Sequence, residues 1–190
     1  MVKIIVLASG SGTNAENIIK YFKKKNDILV TKVLCNRKDA KVFERCKRLN
    51  VECLLFNKKE LFESNKIIDL LIKEADYVIL AGFLLKIPKT ITDKFKNKII
   101  NIHPALLPKY GGKGMYGMNV HNAVYLNKEK ETGITIHYVN ENYDEGAIIF
   151  QAKTSLNTDD TPEKIAEKIH SLEQKYFPEV IEKEILKYAK

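Results

Sequence analysis

The chain has 190 residues, a formal net charge of +8, 45% hydrophobic residues and 29% charged ones. That length and balance suit a single domain over residues 1–190 with a sizeable core and exclude a disordered polymer, and no apolar run approaches the roughly 20 residues that cross a bilayer. The lysines are spread along the chain instead of forming an arm, so the charge predicts a solvated surface that attracts anionic small molecules, not nucleic acid.

Met1-Val2-Lys3 runs straight into the apolar stretch Ile4 to Ala8, too short for a signal-peptide core, and predicts a first strand. Further apolar runs follow at Ile28 to Cys35, Glu52 to Phe56, Tyr77 to Ala81 and Ile99 to Ile102. All five are near-continuously apolar, as strands buried on both faces are, and they are expected to form a parallel centre. Asn14 to Lys25 and Leu61 to Lys73 place Ile18, Ile19 and Phe22, then Ile67, Ile68, Leu71 and Ile72, at helical spacing and predict crossover helices. Gly133 to Val139 and Ala147 to Lys153, joined by a short polar turn around Asp144-Glu145-Gly146, read as two antiparallel edge strands. Thr161-Pro162 then starts a last helix with Ile165, Ile169 and Leu172 as its buried stripe. The fold class is α/β: a doubly wound, mostly parallel sheet of six to seven strands with an antiparallel edge.

Three cysteines, Cys35, Cys46 and Cys53, odd in number and without CxxC spacing, suggest a reduced, cytoplasmic chain with neither a disulfide framework nor a metal site. The segment Pro104 to Met118 holds Gly111, Gly112, Gly114 and Gly117 and has no apolar period. A loop of that length in a compact domain usually serves function.

The first strand ends in Ser9-Gly10-Ser11-Gly12-Thr13-Asn14 and a helix begins at once, so backbone N–H groups and a helix N-terminus converge where a phosphate can sit. No GxxxxGK[ST] is present, which excludes a Walker-type nucleotide site. Gly10-x-Gly12-x-x-Ala15 approximates a dinucleotide fingerprint, and Arg37 after the second strand would suit the 2′-phosphate of NADP, so an oxidoreductase is the rival reading. The fifth strand ends in Asn101-Ile102-His103-Pro104, where open α/β sheets bind ligands. Alternation sends Asn101 and His103 to one side. An imidazole there needs a carboxylate to hold its proton near neutral pH, and Asp144 is the candidate.

Four segments occur in order: Ser9 to Asn14, Ala81-Gly82-Phe83, Asn101-Ile102-His103-Pro104-Ala105-Leu106-Leu107-Pro108, and His137-Tyr138-Val139 ahead of Asp144. With them the chain resembles the phosphoribosylglycinamide formyltransferases of purine synthesis, from about Lys3 to about Pro178. The resemblance implies a folate-dependent transferase with Asn101, His103 and Asp144 as catalytic trio. It implies that Gly10, Ser11, Gly12, Thr13 and Asn14 hold the substrate phosphate and Glu173 its ribose. It also implies that Leu84, Leu85, Lys86 and Ile87 border the folate, much of that contact through backbone.

The implied ligands are glycinamide ribonucleotide and 10-formyltetrahydrofolate, without a metal, in a cytoplasmic monomer or homodimer. Leu85 stands where the family usually has an arginine, with Lys86 displaced by one, and the loop Tyr110 to Met118 is richer in glycine than its commoner version. Lys58 or Lys59 is expected to replace an arginine that the family often uses near the phosphate. Methionyl-tRNA formyltransferase and formyltetrahydrofolate hydrolase resemble the same core but carry additional domains, for which this length is expected to leave no room.

Overall fold

The computed structural model describes residues 1–187. Seven strands, β1 (Val2–Ala8), β2 (Ile28–Cys35), β3 (Glu52–Leu55), β4 (Tyr77–Leu80), β5 (Ile99–His103), β6 (Glu131–Tyr138) and β7 (Ile148–Ser155), form one sheet in the order β3-β2-β1-β4-β5-β6-β7. Pairing is parallel from β3 through β5, and β6 is antiparallel to both β5 and β7. The parallel strands in the middle are apolar throughout because helices cover both faces. Ile4, Val6 and Ala8 point into one core cluster, whereas Ile5 and Leu7 point into the other.

Strand β3 corrects the expectation of a fifth central strand. It is the edge of the sheet, four residues long, with Glu52 and Leu55 exposed and Cys53 and Leu54 only partly buried, one against the core on each face. At the other edge only β7 is terminal; β6 lies inside the sheet and is buried from Thr132 to His137. The connection between them is also longer than a tight turn and runs over residues 139–147.

Helix α1 (Thr13–Phe22) buries Ile18, Ile19 and Phe22 as its spacing predicts. The expected helix over Leu61 to Lys73 is two helices, α3 (Lys58–Phe62) and α4 (Lys66–Glu74), separated at Glu63-Ser64-Asn65. A capping box closes the start of α3, where Asn57 Oδ1 accepts from the Glu60 N–H and Glu60 accepts from the Asn57 N–H. The buried side of α4 is Ile67 and Leu71, while Ile72 is exposed.

Helices α2 (Val42–Arg48), α5 (Lys89–Lys94) and α6 (Met118–Leu126) have no counterpart among the predicted elements. Helix α7 (Pro162–Leu186) begins as predicted, with the Thr161 side chain accepting from the Lys164 N–H and Pro162 at the first position, where no donor is missed. It packs against α1, α6 and the β6 side of the sheet and carries Glu173 to the cleft edge. Among the described residues no helix is long and apolar enough to cross a membrane.

Candidate active site

Because β1 and β4 are neighbours while the chain crosses outward to β2 and β3 on one side and to β5 on the other, the sheet has its switch point between β1 and β4. The carboxyl ends of β1, β4 and β5 open there into a cleft of about 830 Å³. Residues Ser9 to Asn14, Ala81 to Leu84 and Asn101 to Pro104 line it, together with the Gly112 to Gly117 loop, Asp144 and Glu173.

The glycine turn is a rigid cradle. Gly12 has φ +73°, and a Cβ there would fall 2.5 Å from the Val42 side chain and 2.8 Å from its Cα, so a glycine is what lets α2 close behind the turn. Arg45 of α2 donates from Nε to the Ser11 carbonyl at 2.7 Å and pairs with Glu16. The Ser9 hydroxyl donates to Asn36 Oδ1 at 2.6 Å and accepts the Leu84 N–H at 3.0 Å, tying the turn to the loop after β4. The leading N–H groups of α1 face the cleft without intrahelical partners, as every helix start leaves them, and favour an anion.

Asn14, one of the residues expected to hold the phosphate, has its side chain engaged with α7. Its Nδ2 donates to Glu173 Oε2 at 2.9 Å and its Oδ1 accepts from Gln174 Nε2 at 3.2 Å. The turn is thereby locked to α7, and Glu173 is fixed beside it. His170, one turn earlier on α7, has its Nδ1 3.4 Å from Glu173, and that contact raises its pKa.

Asn101, His103 and Asp144 come together across the cleft. Alternation on β5 puts the first two on one face, and antiparallel pairing sets His137 of β6 directly beside Asn101. His137 donates from Nδ1 to the Tyr138 carbonyl at 2.7 Å, which leaves Nε2 to accept from Asn101 Nδ2 at 3.0 Å. One N–H of Asn101 is so committed and the second is free for a ligand. His103 is 3% exposed and donates from Nε2 to the Tyr110 carbonyl at 2.7 Å. Its Nδ1 lies 3.6 Å from Asp144 Oδ2, and the other Asp144 oxygen lies 3.6 Å from His137 Nε2. The Gly112 N–H donates to Asp144 Oδ2 at 2.9 Å, so the carboxylate also holds the glycine loop.

Electrostatics here correct one expectation. Burial pushes the His103 pKa below the ordinary imidazole value, and the upward pulls of the Asp144 charge and the Tyr110 carbonyl do not overcome it. Asp144 itself is pushed up by burial, but His137, the His103 charge and the Gly112 N–H together hold its carboxyl below the usual range. The free site therefore pairs a carboxylate with a mostly neutral imidazole.

The four residues expected to border a folate divide. Leu84 is exposed and lines the cleft behind Phe83, Leu85 packs on the apolar cluster under it, and Ile87 is buried in that cluster. Lys86 reaches over the ring of Tyr143, its Nζ 5.9 Å from the centroid, and so covers the residue next to Asp144. Lys58 and Lys59 do not line the cleft; Arg37 at the end of β2 does. His137, His121, His170 and Tyr143 also belong to the site and were not identified from the sequence. Only His137 carried a signal, as part of a quoted segment. Among the described residues no group of His, Cys, Asp or Glu is arranged to hold a metal ion.

The sequence profile of the formyl transferase family matches residues 2–181. A phosphoribosylglycinamide formyltransferase of Bacillus subtilis is 37% identical over 187 residues, covering 95% of this chain and 93% of that protein. A chloroplastic phosphoribosylglycinamide formyltransferase of Arabidopsis thaliana is 36% identical over 188 residues, and there the match spans 94% of this chain but 64% of the relative's length. The solved phosphoribosylglycinamide formyltransferase of Bacillus halodurans superposes with a TM-score of 0.87 at 31% identity, covering 99% of this chain and 97% of that one.

Proposed function

The chain belongs to the formyl transferase family, and on that premise we propose that it moves a formyl group from 10-formyltetrahydrofolate to the amine of glycinamide ribonucleotide, a step of de novo purine biosynthesis. The observation that carries this reading is the convergence of Asn101, His103 and Asp144 in one cleft that the glycine turn also lines, with His103 Nδ1 3.6 Å from Asp144. An NADP-dependent oxidoreductase would use the turn and Arg37 but gives this cluster no task.

Gly10 to Asn14 receive the phosphate on backbone N–H groups, and Glu173, held by Asn14, accepts from the ribose hydroxyls. Leu84 and Phe83 supply the apolar wall on which the ring of the carrier would lie, and the backbone between Gly82 and Ile87 its polar contacts. The carrier brings the formyl carbon and a nitrogen leaving group. Attack by the amine forms a C–N bond and leaves negative charge on the formyl oxygen in a tetrahedral intermediate; no bond to the protein is made.

The free N–H of Asn101 donates to that oxygen. His103 takes up a proton from solvent as the charge grows, Asp144 stabilises the resulting imidazolium, and that proton returns to solvent once the intermediate has collapsed. The proton lost by the amine then goes to the departing nitrogen as its C–N bond breaks. No role falls to a metal. The whole chain acts as one domain, as a cytoplasmic monomer or homodimer.

The test is to incubate the protein with 10-formyltetrahydrofolate and glycinamide ribonucleotide and to follow release of free folate by absorbance. Release that depends on the ribonucleotide is expected. Its absence, with NADPH binding in its place, overturns the assignment.

A further inference from the structure

Helix α6 buries Val120, His121 and Val124. Two of these are ordinary apolar contacts. His121 is not: it is 6% exposed, and its Nδ1 is the one buried side-chain nitrogen or oxygen among the described residues that has no hydrogen-bond partner. Buried polar groups are nearly always paired, and an unpaired one in a native fold calls for an explanation, a bound partner or a part in the chemistry of a site among them. The ring forms part of the cleft wall.

Its position along the cleft decides what it meets. His121 lies close enough to both Glu173 and His103 to feel the charge of each. In the assignment above, on which this inference rests, Glu173 takes the ribose and His103 faces the amine. The acceptor substrate runs in covalent order phosphate, ribose, amide, amine. The group between ribose and amine is the amide, and His121 lines the same cleft near both of their binding residues. We infer that His121 hydrogen-bonds this amide and is a specificity-determining residue for it.

The chemistry of the ring agrees. Burial pushes its pKa below the ordinary imidazole value, so it faces the cleft as a neutral ring with one donor and one acceptor nitrogen. Such a ring matches an amide, which has a carbonyl acceptor and an N–H donor. A phosphate would call for a cation, and an apolar ring system for Leu or Phe in its place.

The test compares two stable carbocyclic acceptors, one with the amide and one with a methylene replacing its carbonyl. Parent protein is expected to prefer the amide by about 10- to 100-fold in kcat/KM, because a site built to hydrogen-bond a group rejects the analogue that lacks it. In His121→Phe that preference falls to near unity through loss on the amide alone, the methylene acceptor being used as before. His121→Asn, which keeps a polar atom near the unpartnered Nδ1 position, restores part of it, and His121→Gln, whose amide reaches the Nε2 position instead, does not.

A folded His121→Phe, by circular dichroism, that keeps the parental preference overturns the inference. So does equal loss on both acceptors. Should His121→Phe not fold, His121→Asn, which keeps polarity only at the Nδ1 position, is measured against His121→Gln, and equal preferences in the two refute the role. Binding of the same pair, measured calorimetrically, separates the two proposals. A parent that transfers no formyl group yet binds the amide with a His121-dependent preference refutes the transfer alone, and one that binds neither refutes both.

Discussion

Replacing Asp144 by Asn removes one charge and little else. Asp144 sits at φ +56°, a left-handed conformation that Asn tolerates as well as Asp, and an Asn Oδ1 still accepts from the Gly112 N–H. What disappears is the attraction for an imidazolium at 3.6 Å. At that separation, with an effective dielectric of about 20, a unit pair is worth about 4–5 kcal/mol. Both side chains are nearly dry, 4% and 12% exposed, so much of this survives screening. If about 3–4 kcal/mol of it is felt when His103 becomes protonated, kcat falls by about 10² to 10³.

The direction of the pH effect follows from the opposing influences on His103. Burial lowers its pKa and Asp144 is the foremost influence raising it, so in Asp144→Asn burial is opposed by less and the pKa falls further. Activity that needs the imidazolium is lost as pH rises, and that loss then begins at lower pH than in the parent. The KM for glycinamide ribonucleotide stays near the parental value, since Asp144 belongs to neither the glycine turn nor the ribose contact. Initial rates from pH 5.5 to 9 decide it: a profile that coincides with the parent, or a kcat within threefold of it, refutes the argument.

Three further substitutions probe the rest of the cleft. Asn101→Ala removes the oxyanion donor and is expected to lower kcat by about 10² to 10³ with little change in KM, measured by initial rates; a loss under tenfold speaks against that role. Gly12→Ala drives a Cβ to 2.5 Å from Val42 at φ +73°, costing about 2–4 kcal/mol. A melting temperature lower by about 5–15 °C and a raised KM for the ribonucleotide are expected, and parental values of both would show that the turn gives way freely. Glu173→Gln leaves kcat nearly intact, raises that KM about tenfold, and lowers the His170 pKa, which rests on the Glu173 contact; titration of His170 by NMR reads the second effect directly.

The parts of the molecule that the sequence displayed are those whose pattern has one cause. Strands β1, β2, β4 and β5 are apolar because both their faces are covered, and the turn Ser9 to Asn14 is readable because a glycine pair joins a strand to a helix with nothing between. Strand β3 has the same apolar look although it is an edge strand whose Cys53 and Leu54 are only partly buried, one on each face, and four residues are too few to separate the two cases. Helix α2 buries only Val42 and Cys46, a single repeat that no periodicity can disclose, yet it is what backs the phosphate turn. His121 was hidden because α6 follows directly on the glycine loop. His137 was hidden because its place beside Asn101 depends on the register of β6 against β5, which pairs residues 36 apart in the chain.

That register explains how a mostly parallel sheet acquires a carboxylate opposite a strand-end histidine. Crossover connections deliver every parallel strand to the cleft from the same side, so none of them can lay side chains alongside β5 in the reverse sense. Strand β6 does so, bringing His137 beside Asn101, and the connection that follows must double back to carry Asp144 over the same face. The return is tight: at Gly146 a Cβ would stand 1.7 Å from the Tyr138 carbonyl oxygen, so the backbones touch where a side chain would force them apart. Asp144 is then held by this close return of the backbone and by the Gly112 N–H, with a nitrogen of each of two histidines 3.6 Å from its oxygens. A carboxylate placed by so many independent constraints does not drift when its charge is removed. Loss of activity in Asp144→Asn therefore measures electrostatics, whereas loss in a Gly146 variant would measure position.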